Sequence, residues 1–300
     1  MTPRATPLAS ALLLAQPASD LAQSSDRTPD QATDLDRINV EQDRAPIAST
    51  PRFAAPLIDT PRSVGVIPQA VIQETAAATL LEALRTVPGI TFGAGEGGNP
   101  NGDRPFIRGF DAESSIFVDG VRRSGSQSRE TFAIDQIEVT KGPSSAHTGR
   151  GSVGGSINLV SKTAKRADFI TGSMGVDTDD YARATVDINQ TLGDSAAWRI
   201  AAMSQGNDIP DRGGPQNKRW GMAPSLAFGL GADTIASIGY SHLDTHNLPD
   251  SGLPDSNPFA DNGDGSPIKV AHDTYYGCYR LRDRDFQRGK NDVGTIKPLP

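Results

Sequence analysis

The feature that most constrains this chain is a strict two-residue alternation in its second half. Between Tyr181 and Thr191, Ala182, Ala184, Val186 and Ile188 fall on one side of an extended chain, and Arg183, Thr185, Asp187 and Asn189 fall on the other, because successive side chains of a strand point to opposite faces. Comparable segments at 167–176, 196–205, 219–230 and 234–244 have the length of tilted membrane strands, roughly ten residues. Short turns such as Leu192-Gly193-Asp194-Ser195 contrast with a long polar stretch from His246 to Asp292. Unequal connections suit a barrel with long outside loops and short periplasmic turns. On periodicity alone an amphipathic soluble sandwich stays open. No run of about 18 apolar residues occurs, so no transmembrane helix is available and any membrane role falls to strands.

Composition agrees with many short elements: 31 Gly and 22 Pro accompany only 6% aromatic residues, which disfavours an all-helical fold. A net charge of −7 argues against a nucleic-acid partner, since phosphates are held by clustered Lys and Arg. The single cysteine, Cys278, has no disulfide partner and no thiolate companions for a metal. Arg4, the apolar stretch Leu8 to Ala15 and the small residues Ala18 and Ala22 form a weak secretory signal over 1–22. Residues 23–56 are rich in Asp, Gln, Ser, Pro and Ala, with too few apolar side chains to offset the entropy of ordering. Inside this flexible segment Asp36-Arg37-Ile38-Asn39-Val40-Glu41 is an alternating island able to add as a strand to a partner's sheet edge.

From Leu57 to Lys162 short apolar strands are punctuated by Gly and Pro. Val64 to Ile67, Ile134 to Val139 and Ser156 to Val160 read as strands. Thr79 and Glu82 have capping-box spacing, and Leu80, Leu81, Leu84 and Val87 continue on one helical face until Pro88-Gly89. Ile116 to Val118, Asp119-Gly120 and Val121 read as a tight hairpin. Strands interspersed with a helix make this a small α+β domain.

The stretch from Asp59 to Lys162 resembles the plug of TonB-dependent outer-membrane siderophore receptors, most closely the ferric-catecholate branch. The resemblance is carried, in order, by Asp59 to Val64 with Val66-Ile67-Pro68, by Val87-Pro88-Gly89-Ile90, by Asn99 to Asp103, by Ile107-Arg108-Gly109-Phe110, by Phe117 to Val121, by Ile137 to Pro143, and by Gly149-Arg150-Gly151 through Gly154 to Val160. Arg219 to Leu230 is similar to an early barrel strand of the same branch, and Leu248-Pro249-Asp250 and Arg282 to Phe286 to its loop. The implied organisation is a plug at 57–163, a mixed sheet with short helices, followed at 164–300 by the first antiparallel strands of a transmembrane β-barrel. The alternation is expected to fail at Ile296 to Pro300, where two prolines interrupt the ladder. Five or six strands cannot close a barrel, and an open edge has no place in hydrocarbon. The expectation is therefore a truncated receptor, a frameshift or a split gene.

The resemblance implies uptake of a ferric siderophore across the outer membrane of a Gram-negative bacterium. TonB, with ExbB and ExbD, would energise plug rearrangement, and Asp36 to Glu41 are the candidate TonB box. Outer-membrane lipid is a further partner; no cofactor is expected, iron being carried as the chelate. Plug loops facing outside supply the candidate ligand contacts Asn101, Arg104, Ser114, Ser115, Arg122, Arg123, Gln127 and Arg129. Their guanidiniums and donors suit an anionic chelate with aromatic faces. Arg108 is expected inside the plug as a latch to barrel carboxylates. The glycines from 142 to 155 lack the Gly-Lys-Ser/Thr of a phosphate loop, Asp261 to Gly265 misses calcium-loop spacing, and the four histidines form no catalytic grouping. The chain thus reads as no enzyme. Import of cobalamin, a nickel chelate or a glycan, or a periplasmic plug-like binding module, are the alternatives.

Overall fold

The computed structural model describes residues 62–93, 102–123, 125–143, 152–178, 180–210, 214–232, 234–248, 253, 255–256, 264–271, 274 and 287–299. All its elements belong to one compact unit, Asp43–Pro300. The candidate TonB box Asp36 to Glu41, Asn101 and Cys278 lie outside the described residues.

The first half comprises β1 (Ser63–Pro68), α1 (Gln69–Glu74), α2 (Leu80–Leu84), β2 (Ile90–Phe92), β3 (Pro105–Ile107), β4 (Phe110–Asp111), β5 (Ile116–Val118), β6 (Val121–Arg122), β7 (Ile134–Lys141) and β8 (Gly155–Ser161). Five strands form a mixed sheet in the order β1-β7-β8-β5-β6, with β5 and β8 parallel, while β2, β3 and β4 make a small second sheet. Ile67, Ile72, Leu80, Leu84, Ile107, Ile116, Ile137, Val139, Ile157 and Leu159 share one buried core.

Local sequence accounts for several of these elements. The Thr79 hydroxyl accepts from Glu82 N at 3.3 Å and the Glu82 carboxylate accepts from Thr79 N at 3.4 Å, the reciprocal cap read from the spacing. The helix stops at Leu84, one turn before Pro88, although Val87 still packs on the core. Helix α1 has no side-chain cap, so it carries no start signal in the sequence. The Asp119-Gly120 turn has φ of +51° and +84°, the left-handed pair a two-residue hairpin requires.

The second half is a six-stranded antiparallel meander of β9 (Phe169–Val176), β10 (Ala182–Leu192), β11 (Ala196–Asp208), β12 (Gln216–Phe228), β13 (Ile235–Leu248) and β14 (Gln287–Leu299). Burial follows the alternation with its sign reversed from a soluble protein. Ile170, Met174, Val186, Ile200, Leu226, Phe228, Ile238 and Ile296 are exposed, whereas Asp187, Asn189, Arg199, Gln205, Ser225 and Ser237 are buried against the first half. The inward positions of β12 from Gly221 through Ala223 and Ser225 to Ala227 are small, and a Cβ on Gly221 would meet the Phe132 ring at 2.7 Å. Phe132 therefore packs into a shallow seat with Ala201, Met203, Ala223 and Leu243.

Two expectations need correction. The ladder does not fail at the terminal prolines: β14 pairs with β13 from Gln287↔Asn247 through Pro298↔Ala236 to Leu299↔Ile235. The strand ends the sheet with one neighbour, where a missing donor costs at most one bond. The polar stretch after His246 is also shorter at both ends, since β13 runs to Leu248 and β14 starts at Gln287.

Candidate ligand face and plug–strand junction

The strand ends joined by 177–181, by 209–215 and by the long connection 249–286 lie at one end of the meander, and those joined by the tight turn 193–195 and the turn 229–234 lie at the other. The plug is registered between these ends by two contacts to β14. Asp119, in the hairpin turn, pairs with Lys297, and Gln127 Oε1 accepts from Asn291 Nδ2 at 3.3 Å. Gln127 thus sits toward the long-connection end and Asp119 toward the tight-turn end.

Arg104 is half exposed, bonded through Nε to Asp111 Oδ2 at 3.0 Å and lying over the Phe106 ring at 5.5 Å. Arg122 donates through Nη1 to Ser114 O at 2.8 Å and lies over Phe117 at 5.1 Å. Ser126 Oγ donates to Glu113 Oε1 at 2.8 Å. Asp111 and the Ser114 carbonyl hold the two guanidiniums over aromatic faces while leaving part of each accessible. Arg123 and Gln127 line a cavity between plug and strands of about 100 Å³, together with Tyr240, Asn291 and Lys297. Arg123 Nε and Arg129 Nη2 are buried without a hydrogen-bond partner among the described residues.

Several predicted site residues lie elsewhere than expected. Arg129 is 6% exposed and Ser115 1% exposed, so neither presents itself on an open loop. Arg129 turns inward because Asp103, 2% exposed, takes its Nη1 at 3.2 Å. Burial pushes the Asp103 carboxyl up to about 6 even though Arg129 beside it pulls the other way. Arg108, the expected latch, is exposed here with φ +52°, and no carboxylate of the six described strands pairs with it. It occupies the tight turn between β3 and β4, which directs it away from the core.

The ion pairs joining plug to strands are ones the sequence reading did not assign. Glu130, 2% exposed, is held between Arg183 of β10 and Arg219 of β12. Burial raises its carboxyl while Arg219 and Arg183 oppose that rise. Asp187 of β10 receives the Arg199 fork at 2.8 Å from Nε and 2.8 Å from Nη2, and Lys162 reaches it at 2.7 Å. Arg199 also donates to Thr163 O at 3.1 Å and lies over Phe169 at 5.3 Å. Burial lowers the Lys162 ammonium, against the pull of Asp187. The detectable signal was parity: Arg183, Asp187 and Arg199 all stand on the polar side of their strands. Among the described residues no cluster of three or more His, Cys, Asp or Glu is placed to hold a metal.

Comparison with known proteins agrees with this architecture. Residues 56–156 match the TonB-dependent Receptor Plug Domain family. The chain is 49% identical over 268 residues to the probable TonB-dependent siderophore receptor PiuA of Acinetobacter baumannii, covering 89% of this chain and 35% of that protein. It is 38% identical over 262 residues to the catecholate siderophore receptor Fiu of Escherichia coli K12, covering 83% and 34%. The crystal structure of the A. baumannii PiuA receptor superposes with a TM-score of 0.75 at 50% identity, covering 84% of this chain and 36% of that one. The chain thus spans about a third of the length of the curated relatives it matches. It belongs to the TonB-dependent receptor family, with a plug domain at 56–156 followed by antiparallel strands of a partial barrel.

Proposed function

We propose that this chain forms the plug and opening strands of an outer-membrane receptor that imports ferric siderophores of the catecholate class. One observation carries the reading: apolar side chains face outward on the strands and charged ones inward on the plug, the distribution a wall in hydrocarbon needs. Trp198 and Phe228 toward the tight turns, and Trp220 toward the long connections, stand on the outward parity of their strands, where aromatic girdles border the apolar band.

Long connections are external in such barrels, which turns Gln127 and its neighbours toward the outside. Arg104 and Arg122 then offer cationic, aromatic-backed edges to a trianionic chelate, with Ser114 beside them. Receptors named for siderophores and for catecholates among the relatives support the ligand class. No covalent chemistry is required. TonB, energised with ExbB and ExbD, would grip Asp36 to Glu41 and shift the plug past its ion pairs to the strands.

The test is expression of a receptor in which the barrel is completed beyond β14, in a Gram-negative host lacking its own catecholate receptors. Recovery in detergent-extracted outer membrane with TonB-dependent uptake of ferric catecholate is the expected result. Recovery in periplasmic extract with no uptake would favour a plug-like binding module instead.

A further inference from the structure

The two stretches that supply the proposed ligand cations, Gly102–Arg104 and Arg122–Arg129, meet at one buried point. Asp103 Oδ2 accepts from the Arg129 backbone N–H at 3.0 Å and from its Nη1 at 3.2 Å. The Asp103 N–H donates to Gln127 O at 2.9 Å, and Arg129 Nη1 donates to that same carbonyl at 3.0 Å. The backbones touch directly: Gly102 has φ +110°, and a Cβ on it would come within 2.5 Å of Gln127 N and 2.7 Å of Ser126 C. Beneath this crossing, Leu80 N donates to Arg129 O at 2.9 Å and Thr131 N to Ala78 O at 3.0 Å. The crossing is thereby fixed to the capped end of α2.

A buried carboxylate close to an anion site would repel the ligand, so its presence calls for a structural role that outweighs that repulsion. Asp103 precedes Arg104 directly, and the stretch it grips begins at Arg122. We infer that Asp103 and Arg129 are positioning residues for chelate binding, a clasp that fixes Arg104 and Arg122 relative to one another, and that Arg129 does not itself touch the chelate. This rests on the reading of the chain as a receptor for an anionic iron chelate. It changes the role of Arg129 from contact to support, because its Nη1 is committed to Asp103 and Gln127 O and its side chain is closed to solvent.

Charge sign separates support from contact. The full chain in detergent is titrated with ferric tris(2,3-dihydroxybenzoate), and amide exchange at Arg129 is followed without the probe. Asp103→Asn removes a negative charge but leaves the buried Arg129 guanidinium without its counter-ion. A clasp predicts roughly five- to tenfold weaker binding, the scale of one lost hydrogen bond, and faster exchange at the Arg129 amide. If Arg129 were a contact, the same substitution would release it and remove repulsion, so unchanged or tighter binding overturns the inference. Arg129→Lys keeps the charge but loses the planar guanidinium that sets Nη1 between Asp103 Oδ2 and Gln127 O; it should weaken binding as much as Asp103→Asn, and wild-type affinity in this variant also overturns the inference. Arg104→Gln should weaken binding without altering exchange at Arg129. Failure of the wild type to bind the probe would sink the receptor reading instead. Unchanged Arg129 exchange in Asp103→Asn sinks the clasp whether or not the probe binds.

Discussion

Arg183 Nη2 on strand β10 lies 2.9 Å from Glu130 Oε2 in the plug. With Arg219 on the other carboxylate oxygen, a single plug acid neutralises two wall cations. The polarity is the reverse of a plug arginine latched to wall acids, and it places an anion where the plug chain turns from the ligand loops into β7. Lys162 on Asp187 and Lys297 on Asp119 complete a set of charged ties between plug and strands. Separating the partners of such ties returns both charges to water, which makes the ties reversible in a way that a purely apolar interface is not.

Glu130→Ala should be among the most damaging plug substitutions, since it strands two partly buried guanidiniums. A loss of about 3 to 5 kcal/mol is expected from breaking a buried pair by removing one partner. Denaturant midpoints of Glu130→Ala, Arg183→Met and the double variant measure it. Because the residues act as a unit, the double variant should lose less than the sum of the singles.

Gly221→Ala should cost about 1 to 3 kcal/mol by overpacking, because the added methyl meets both the Phe132 ring at 2.7 Å and His242 O at 2.8 Å. Phe132→Leu should recover part of that loss by withdrawing the ring. Stability of the double variant below that of both singles would contradict this account of the seat.

Ile200→Arg places a charge in the middle of the outward apolar face. In bilayers it should destabilise insertion by about 2 to 4 kcal/mol, whereas a surface change on a soluble sandwich would cost within about 0.5 kcal/mol. Equilibrium folding into vesicles distinguishes the two.

Asp103 ionises at about 6 in the folded chain against an ordinary 3.8. Below pH 4 both folded and unfolded forms carry the proton. Between about pH 4 and 6 the unfolded chain releases it while the folded chain keeps it, so this contribution to stability falls as pH rises and is gone above 6. The difference in stability between wild type and Asp103→Asn should therefore shift toward the variant by on the order of 3 kcal/mol from pH 4 to 7, whatever its starting offset. Parallel curves would show that Asp103 titrates normally.

Arg104→Ala and Arg122→Ala should each weaken ferric-catecholate binding roughly ten- to a hundredfold, the range for a charged hydrogen bond in a partly dry site. Fluorescence quenching on titration reads this directly. Wild-type affinity in both variants would move the ligand away from this face.

Much of the architecture is a local property of the chain. Alternation from Ala182 to Leu192 dictates a strand with two unlike faces, Thr79 and Glu82 dictate a cap, and Asp119-Gly120 dictates a hairpin, because each depends on neighbours within a few residues. Parity even marks Arg183, Asp187 and Arg199 as inward. Which acid meets which base is not local. Glu130 finds Arg219 eighty-nine positions away, and Arg129 closes on Asp103, because burial of one charge is tolerable only beside another. The exposure of Arg108 depends likewise on a turn whose surroundings come from distant segments. Sequence determined the faces of the strands; packing of plug against wall decided which charges those faces would hold.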